Sequence, residues 1–137
     1  VISINEISFA LMSMMAFGMV GIVYKVATEH MNPLSVVFFV YVFSATLMGV
    51  VWSLSPDKSI TLEGMKLVVL ASILAVIGMV SYMYALKLGE ASVVVPIRNL
   101  ALVVTVCLAI TILKENMDLT KLGGIIMAVF ALILLSR

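Results

Sequence analysis

The chain has 137 residues, 64% of them apolar and only 11% charged, with a mean hydropathy of +1.30. Soluble domains carry about 25% charged residues, so too few charges are present to cover a water-facing surface, which argues against a soluble enzyme. Eight Lys or Arg against seven Asp or Glu give a net charge of +1, which offers nothing to nucleic acid, while one Cys and one His exclude an internal disulfide and a zinc cluster.

A membrane span needs about 20 mostly apolar residues, and charges divide this chain into five such stretches. Uncharged runs cover 7–24, 34–54 and 67–86; the fourth, 91–113, contains Pro96 and Arg98, and the fifth, 119–136, contains Lys121 near one end, where its ammonium can reach the headgroups. The pattern predicts helices over about 7–28, 33–54, 64–87, 91–113 and 119–136. That is an all-α integral membrane protein, a five-transmembrane-helix bundle occupying 1–137 as one domain. A porin-like barrel would show ten-residue alternating strands instead.

The connections carry turn chemistry. Asn32-Pro33 is an N-cap followed by proline at the first helical position, where a missing N–H costs nothing. Ser55-Pro56-Asp57 breaks the second helix, Leu88-Gly89 supplies a C-cap for the third, and Asp118 can cap the fifth. The longest connection, 55–66, leaves no room for a soluble domain. No basic segment precedes the first run, and Lys25 and Glu29 follow where a small-residue cleavage site would stand, so this run reads as a span rather than a signal peptide.

Five spans put the termini on opposite sides of the membrane. Lys58, Lys66, Lys114 and Lys121 fall on the N-terminal side, and Lys25, Lys87 and Arg137 on the other. This near balance gives only a weak bias under the positive-inside rule. It is either the noise of a chain with few charges or the mark of a protein that inserts both ways.

The stretch Tyr84-Ala85-Leu86-Lys87-Leu88-Gly89-Glu90-Ala91-Ser92, an apolar helix ending Leu113-Lys114-Glu115, and then Leu119-Thr120-Lys121-Leu122-Gly123-Gly124 before a last apolar helix together resemble the EamA-type repeat of the drug/metabolite transporter superfamily. Glu115, Thr120 and Gly123 or Gly124 occupy the places of that family's junction between its fourth and fifth helices. Gly18 and Gly21 before Lys25, and Pro33 opening the second helix, also fit. Two features common in the family are absent: Phe39-Val40-Tyr41 holds no arginine, and Ala101-Leu102 stands where a second proline is frequent. The resemblance covers essentially the whole chain and corresponds to one repeat, as in stand-alone five-helix members. It implies metabolite or drug transport across the cell (inner or cytoplasmic) membrane, usually by ten-helix chains whose two repeats are inverted.

Arg98 is the leading site candidate, roughly 10 Å into its helix from Ala91 at about 1.5 Å per residue. A charge at that depth usually faces a cavity or a partner; the alternative is that Arg98 snorkels to the nearer interface, toward Glu90. Ala91, Arg98, Ala101, Thr105 and Ala109 form a small or polar stripe of the kind bundle interfaces prefer. Pro96 leaves the Ser92 carbonyl without its usual backbone partner, which predicts a kink beside Arg98 and Asn99, resembling the interrupted helices of transporter sites. A tolerated proline kink is the plainer reading.

Tyr82, Tyr41, Tyr24 and Lys25 are further substrate-binding candidates, and Gly124 and Ala128, four apart, permit close helix packing within the chain or between chains. Trp52 reads as an interface anchor. No Asp or Glu lies inside a span: Glu6, Glu29, Asp57, Glu63, Glu90, Glu115 and Asp118 are all at edges or in loops. The small multidrug resistance transporters, a related family, exchange protons for cationic drugs through a membrane-embedded glutamate, so this chain points instead to a solute with an anionic group. No catalytic constellation or cofactor site is present in the sequence. The expected partners are the lipid bilayer, a small-molecule solute, and either a second copy or a similar five-helix chain. The competing reading is a non-transporting accessory subunit or half of a heteromeric transporter.

Overall fold

A computed structural model describes residues 4–114 and 118–135. Glu115 of the family-like junction and Arg137 of the charge balance lie outside the described residues, as do the side chains of Thr120 and Lys121. The described chain is helical throughout, in the order α1 (Ile4–His30), α2 (Pro33–Leu54), α3 (Leu62–Leu88), α4 (Ala91–Asn99), α5 (Ala101–Thr111) and α6 (Leu119–Leu135). The fourth expected span is thus two helices in line, α4 and α5, parted at Leu100. The stretches Asn5–His30, Pro33–Leu54, Leu62–Leu88 and Ala91–Thr111 are each long and apolar enough to cross a membrane, and α6 contains a shorter apolar helix, Leu122–Leu134. The chain forms two compact units, Val1–Leu88 and Gly89–Arg137.

Two of the helices, α2 and α3, begin where a side chain satisfies one of the first N–H groups, which have no partner within the helix. Asn32 Oδ1 accepts from Leu34 N–H at 2.9 Å, and Pro33 takes the first helical position, as its sequence requires. Thr61 does the same for α3: its hydroxyl accepts from Gly64 N–H at 3.2 Å and its carbonyl from Met65 N–H at 3.0 Å. This cap starts α3 two residues before the position expected from its apolar run. Between α2 and α3, Asp57 Oδ1 closes a turn by accepting from Ser59 N–H at 3.0 Å. Lys58 stands 5.0 Å from the centroid of the Trp52 ring, a cation–π contact at the end of α2 that suits the interfacial role expected of this tryptophan.

The end of α3 departs from the sequence reading. A glycine cap works through the left-handed conformation, yet no described glycine has a positive φ, and Gly89 does not act in that way. One carbonyl in the last turn of α3, that of Leu86, is met by Lys25 of α1. Among the described residues Lys114 alone of the non-glycines has a positive φ, 54°, three residues after α5 ends at Thr111.

In the first unit the buried side chains gather at one end. Thr28 on α1, Pro33, Val36 and Val37 on α2, and Tyr82, Met83 and Leu86 on α3 are all buried, with Gly21 one helical stretch behind them. Elsewhere the apolar side chains of these helices are mostly exposed, as expected where lipid rather than protein is the apolar solvent. Leu47 and Ile77 are 70% and 59% exposed, so protein packing does not shield them. In a chain with Cys107 replaced, cysteines placed at Leu47 and Ile77 are expected to resist a membrane-impermeant thiol reagent while one at Asp57 reacts. Labelling of Leu47→Cys in intact membranes would remove α2 as a span.

Candidate functional site

The sequence-derived candidates divide between the two units. In the first, Tyr24 and Lys25 lie near the C-terminal end of α1 and Tyr82 lies near that of α3. Lys25 Nζ reaches across to α3 and donates to the Leu86 carbonyl at 2.8 Å, while Lys87 Nζ on α3 donates back to the Thr28 carbonyl at 2.7 Å. Both accepting carbonyls belong to the last turn of their helices, whose carbonyls have no intrahelical partner. A cation at the negative end of a helix contributes about 0.3–2 kcal/mol. The Thr28 hydroxyl completes the arrangement by donating to the Lys25 carbonyl at 2.8 Å, and Thr28 is fully buried. Lys25 Nζ also lies 3.9 Å from Glu29 Oε1, an i,i+4 ion pair on α1.

The structure therefore gives Lys25 an interhelical bond that sequence reading does not supply, and adds Lys87 and Thr28 to this end of the unit. Lys87 carried a signal in the Tyr84–Ser92 stretch, but its partner, 59 residues away, is set only by the packing of α1 on α3. Tyr82 is buried, with Met83 and Leu86 beside it on α3.

Tyr24 is half-buried and lines an open groove of about 380 Å³ between α1 and α2, together with Ala27, Phe39, Val40, Phe43 and Ser44. Phe39 and Phe43 stack along its α2 wall with centroids 6.1 Å apart. Tyr41 is 37% exposed and is not part of the groove lining.

In the second unit Arg98 and Asn99 are the last two residues of α4, and both are exposed. The helix continues through Pro96 and stops one turn later. Leu100 N–H donates to the Ile97 carbonyl at 3.1 Å, and Val103 N–H donates to the Leu100 carbonyl at 2.9 Å, each three residues back rather than four. This tightening interrupts the backbone ladder beside Arg98 and Asn99, where the sequence predicted irregularity, although the break itself falls at Leu100. It places Arg98 in the last turn of α4, where the helix dipole favours a cation, and it opens the N-terminus of α5, where the dipole favours an anion.

The helix α4 packs against α6. A groove of about 350 Å³ lined by Val103, Ile125, Ile126, Val129, Phe130 and Ile133 runs between α5 and α6 and is apolar throughout. Ala128 is half-buried, whereas a Cβ built on Gly124 meets open space, so the small-residue pair is not a close seam within this unit. Among the described residues no group of three or more His, Cys, Asp or Glu could hold a metal ion.

Comparison with known proteins agrees with the helix pattern. The pattern of the EamA-like transporter family matches residues 4–137. An uncharacterized protein of Methanocaldococcus jannaschii is 37% identical over 82 residues, a stretch covering 58% of this chain and 60% of that protein. The match thus spans less than two thirds of that relative's length. No solved structure matches the chain. With membrane-length apolar helices in the expected order and a family match running from α1 to the end of the sequence, the chain belongs to the EamA-like transporter family.

Proposed function

We propose that this chain transports a small solute bearing an anionic group across the cell (inner or cytoplasmic) membrane by alternating access, working as an assembly of two or more five-helix chains. The observation that carries this reading is the broken fourth span. Leu100 separates α4 from α5, which leaves Arg98 and the N–H groups opening α5 beside the same residue. Interrupted helices of this kind form the sites of many transporters, because half-helix N-termini hold anionic parts of the solute. The guanidinium adds a planar pair of donors suited to a carboxylate or phosphate. Asn99 and Pro96 belong to the same site, Asn99 as a neutral donor and acceptor and Pro96 as the residue that denies the Ser92 carbonyl its usual backbone partner.

Tyr24, Tyr41, Tyr82 and Lys25 are assigned to solute contact in the first unit. Gly124 and Ala128 are assigned to contact between chains, a reading supported by the open space over Gly124 within its own unit. The chemistry is transport and not catalysis. Purified protein in liposomes, given a panel of amino acids and organic anions beside neutral and cationic controls, is expected to pass at least one anionic solute and none of the lipophilic cations. Flux of cations alone would overturn the assignment.

A further inference from the structure

We infer that Lys25 and Lys87 form a reciprocal latch that binds the C-terminal ends of α1 and α3 into one rigid end of the first unit, leaving the opposite ends of these helices to move. The two bonds run in opposite senses. One carries a lysine of α1 to a carbonyl of α3 at 2.8 Å, and the other a lysine of α3 to a carbonyl of α1 at 2.7 Å, joining residues 61 and 59 apart in sequence. Two crossed bonds restrain both sliding and rotation of one helix on the other, which a single flexible lysine does not. Each bond is charge-assisted and ends on a carbonyl that its own helix leaves bare.

The surroundings reinforce this end. Thr28 is fully buried, and its hydroxyl donates to the Lys25 carbonyl at 2.8 Å, so the residue whose carbonyl receives Lys87 is itself tied back to Lys25. Leu86, whose carbonyl receives Lys25, has no exposed surface, and neither has Met83. Apart from Gly21, the buried residues of the unit, from Thr28 through Pro33, Val36 and Val37 to Tyr82, lie at this end. Side chains at the far ends, from residue 5 in α1 and from residue 62 in α3, are nearly all exposed. Local stability follows such packing, so helix ends of this kind open at different free energies. The latch does not depend on which solute is carried, nor on the transporter reading itself.

Hydrogen–deuterium exchange of the whole protein in lipid nanodiscs tests it without a transport assay. Amides of 25–31 and 83–89 are expected to exchange slowly and together. Lys25→Met or Lys87→Met should each speed both segments at least tenfold, with the double variant little faster than either single one, because either loss undoes the shared closure. Amides of 5–10 and 62–66 should be unchanged. Acceleration confined to the helix whose carbonyl is bared, or single effects that multiply in the double variant, would mean two independent caps and overturn the latch. Acceleration spread over all helices would also overturn it, as general destabilisation. If a methionine variant fails to accumulate, Lys25→Arg and Lys87→Arg retain a cationic donor and are expected to exchange as wild type; faster exchange in them counts against the proposal.

Discussion

Replacing Arg98 by alanine is expected to lower flux of the anionic solute by roughly ten- to more than a hundredfold, the equivalent of losing one hydrogen-bonded charge contact of about 1.5–3 kcal/mol. The protein should remain folded and inserted. Arg98 is exposed at the end of α4, so its removal creates no cavity, and loss of a charge from a span lowers the cost of insertion. Arg98→Lys is expected to recover only part of the flux. It keeps the positive charge but presents three donors from a point rather than a planar fork. The measurement is initial uptake into liposomes at matched protein content, with circular dichroism of each variant to show intact helices. Wild-type flux in Arg98→Ala would instead favour an arginine that snorkels to the interface.

The second expectation concerns orientation. Alternating access in inverted-repeat transporters rests on two similar halves, opposed in the membrane, that exchange conformations around a site near the midplane. A ten-helix chain inverts its second half automatically because five is odd. A five-helix chain acquires the same arrangement when copies insert in both orientations, and the lysines and arginines on its two sides are nearly balanced. Two lysines added to the connection at 55–61 are therefore expected to bias insertion one way and to abolish most of the activity of the chain expressed alone. Co-expression with a variant biased the other way should restore it. The connection tolerates the change: Lys58 and its neighbours are exposed, and the turn is fixed by Asp57 and the cap by Thr61. Reporter fusions at the C-terminus that give one orientation in the unmodified protein, with transport intact, would exclude the antiparallel assembly.

The sequence determined the helical class, the order of the spans and the start of α2. A run of about 20 apolar residues has few alternatives in a bilayer, since every backbone group must be satisfied within the segment, and Asn32-Pro33 acts on neighbours one and two residues away. It also located the irregularity near Arg98, because proline removes a donor wherever the fold places it. The tertiary structure decided what ends α3 and what holds it to α1. Gly89 was the local candidate for a cap, but the nearer solution in space is Lys25, and no local pattern records a partner 61 residues away. The break falls at Leu100, one turn beyond Pro96, where the Leu100 and Val103 N–H groups bond three residues back, a position that the proline alone does not give. Which of the tyrosines are covered followed the same division: helical spacing put Tyr24, Tyr41 and Tyr82 forward alike, and only the packing of three helices at one end buried Tyr82 while leaving Tyr41 exposed.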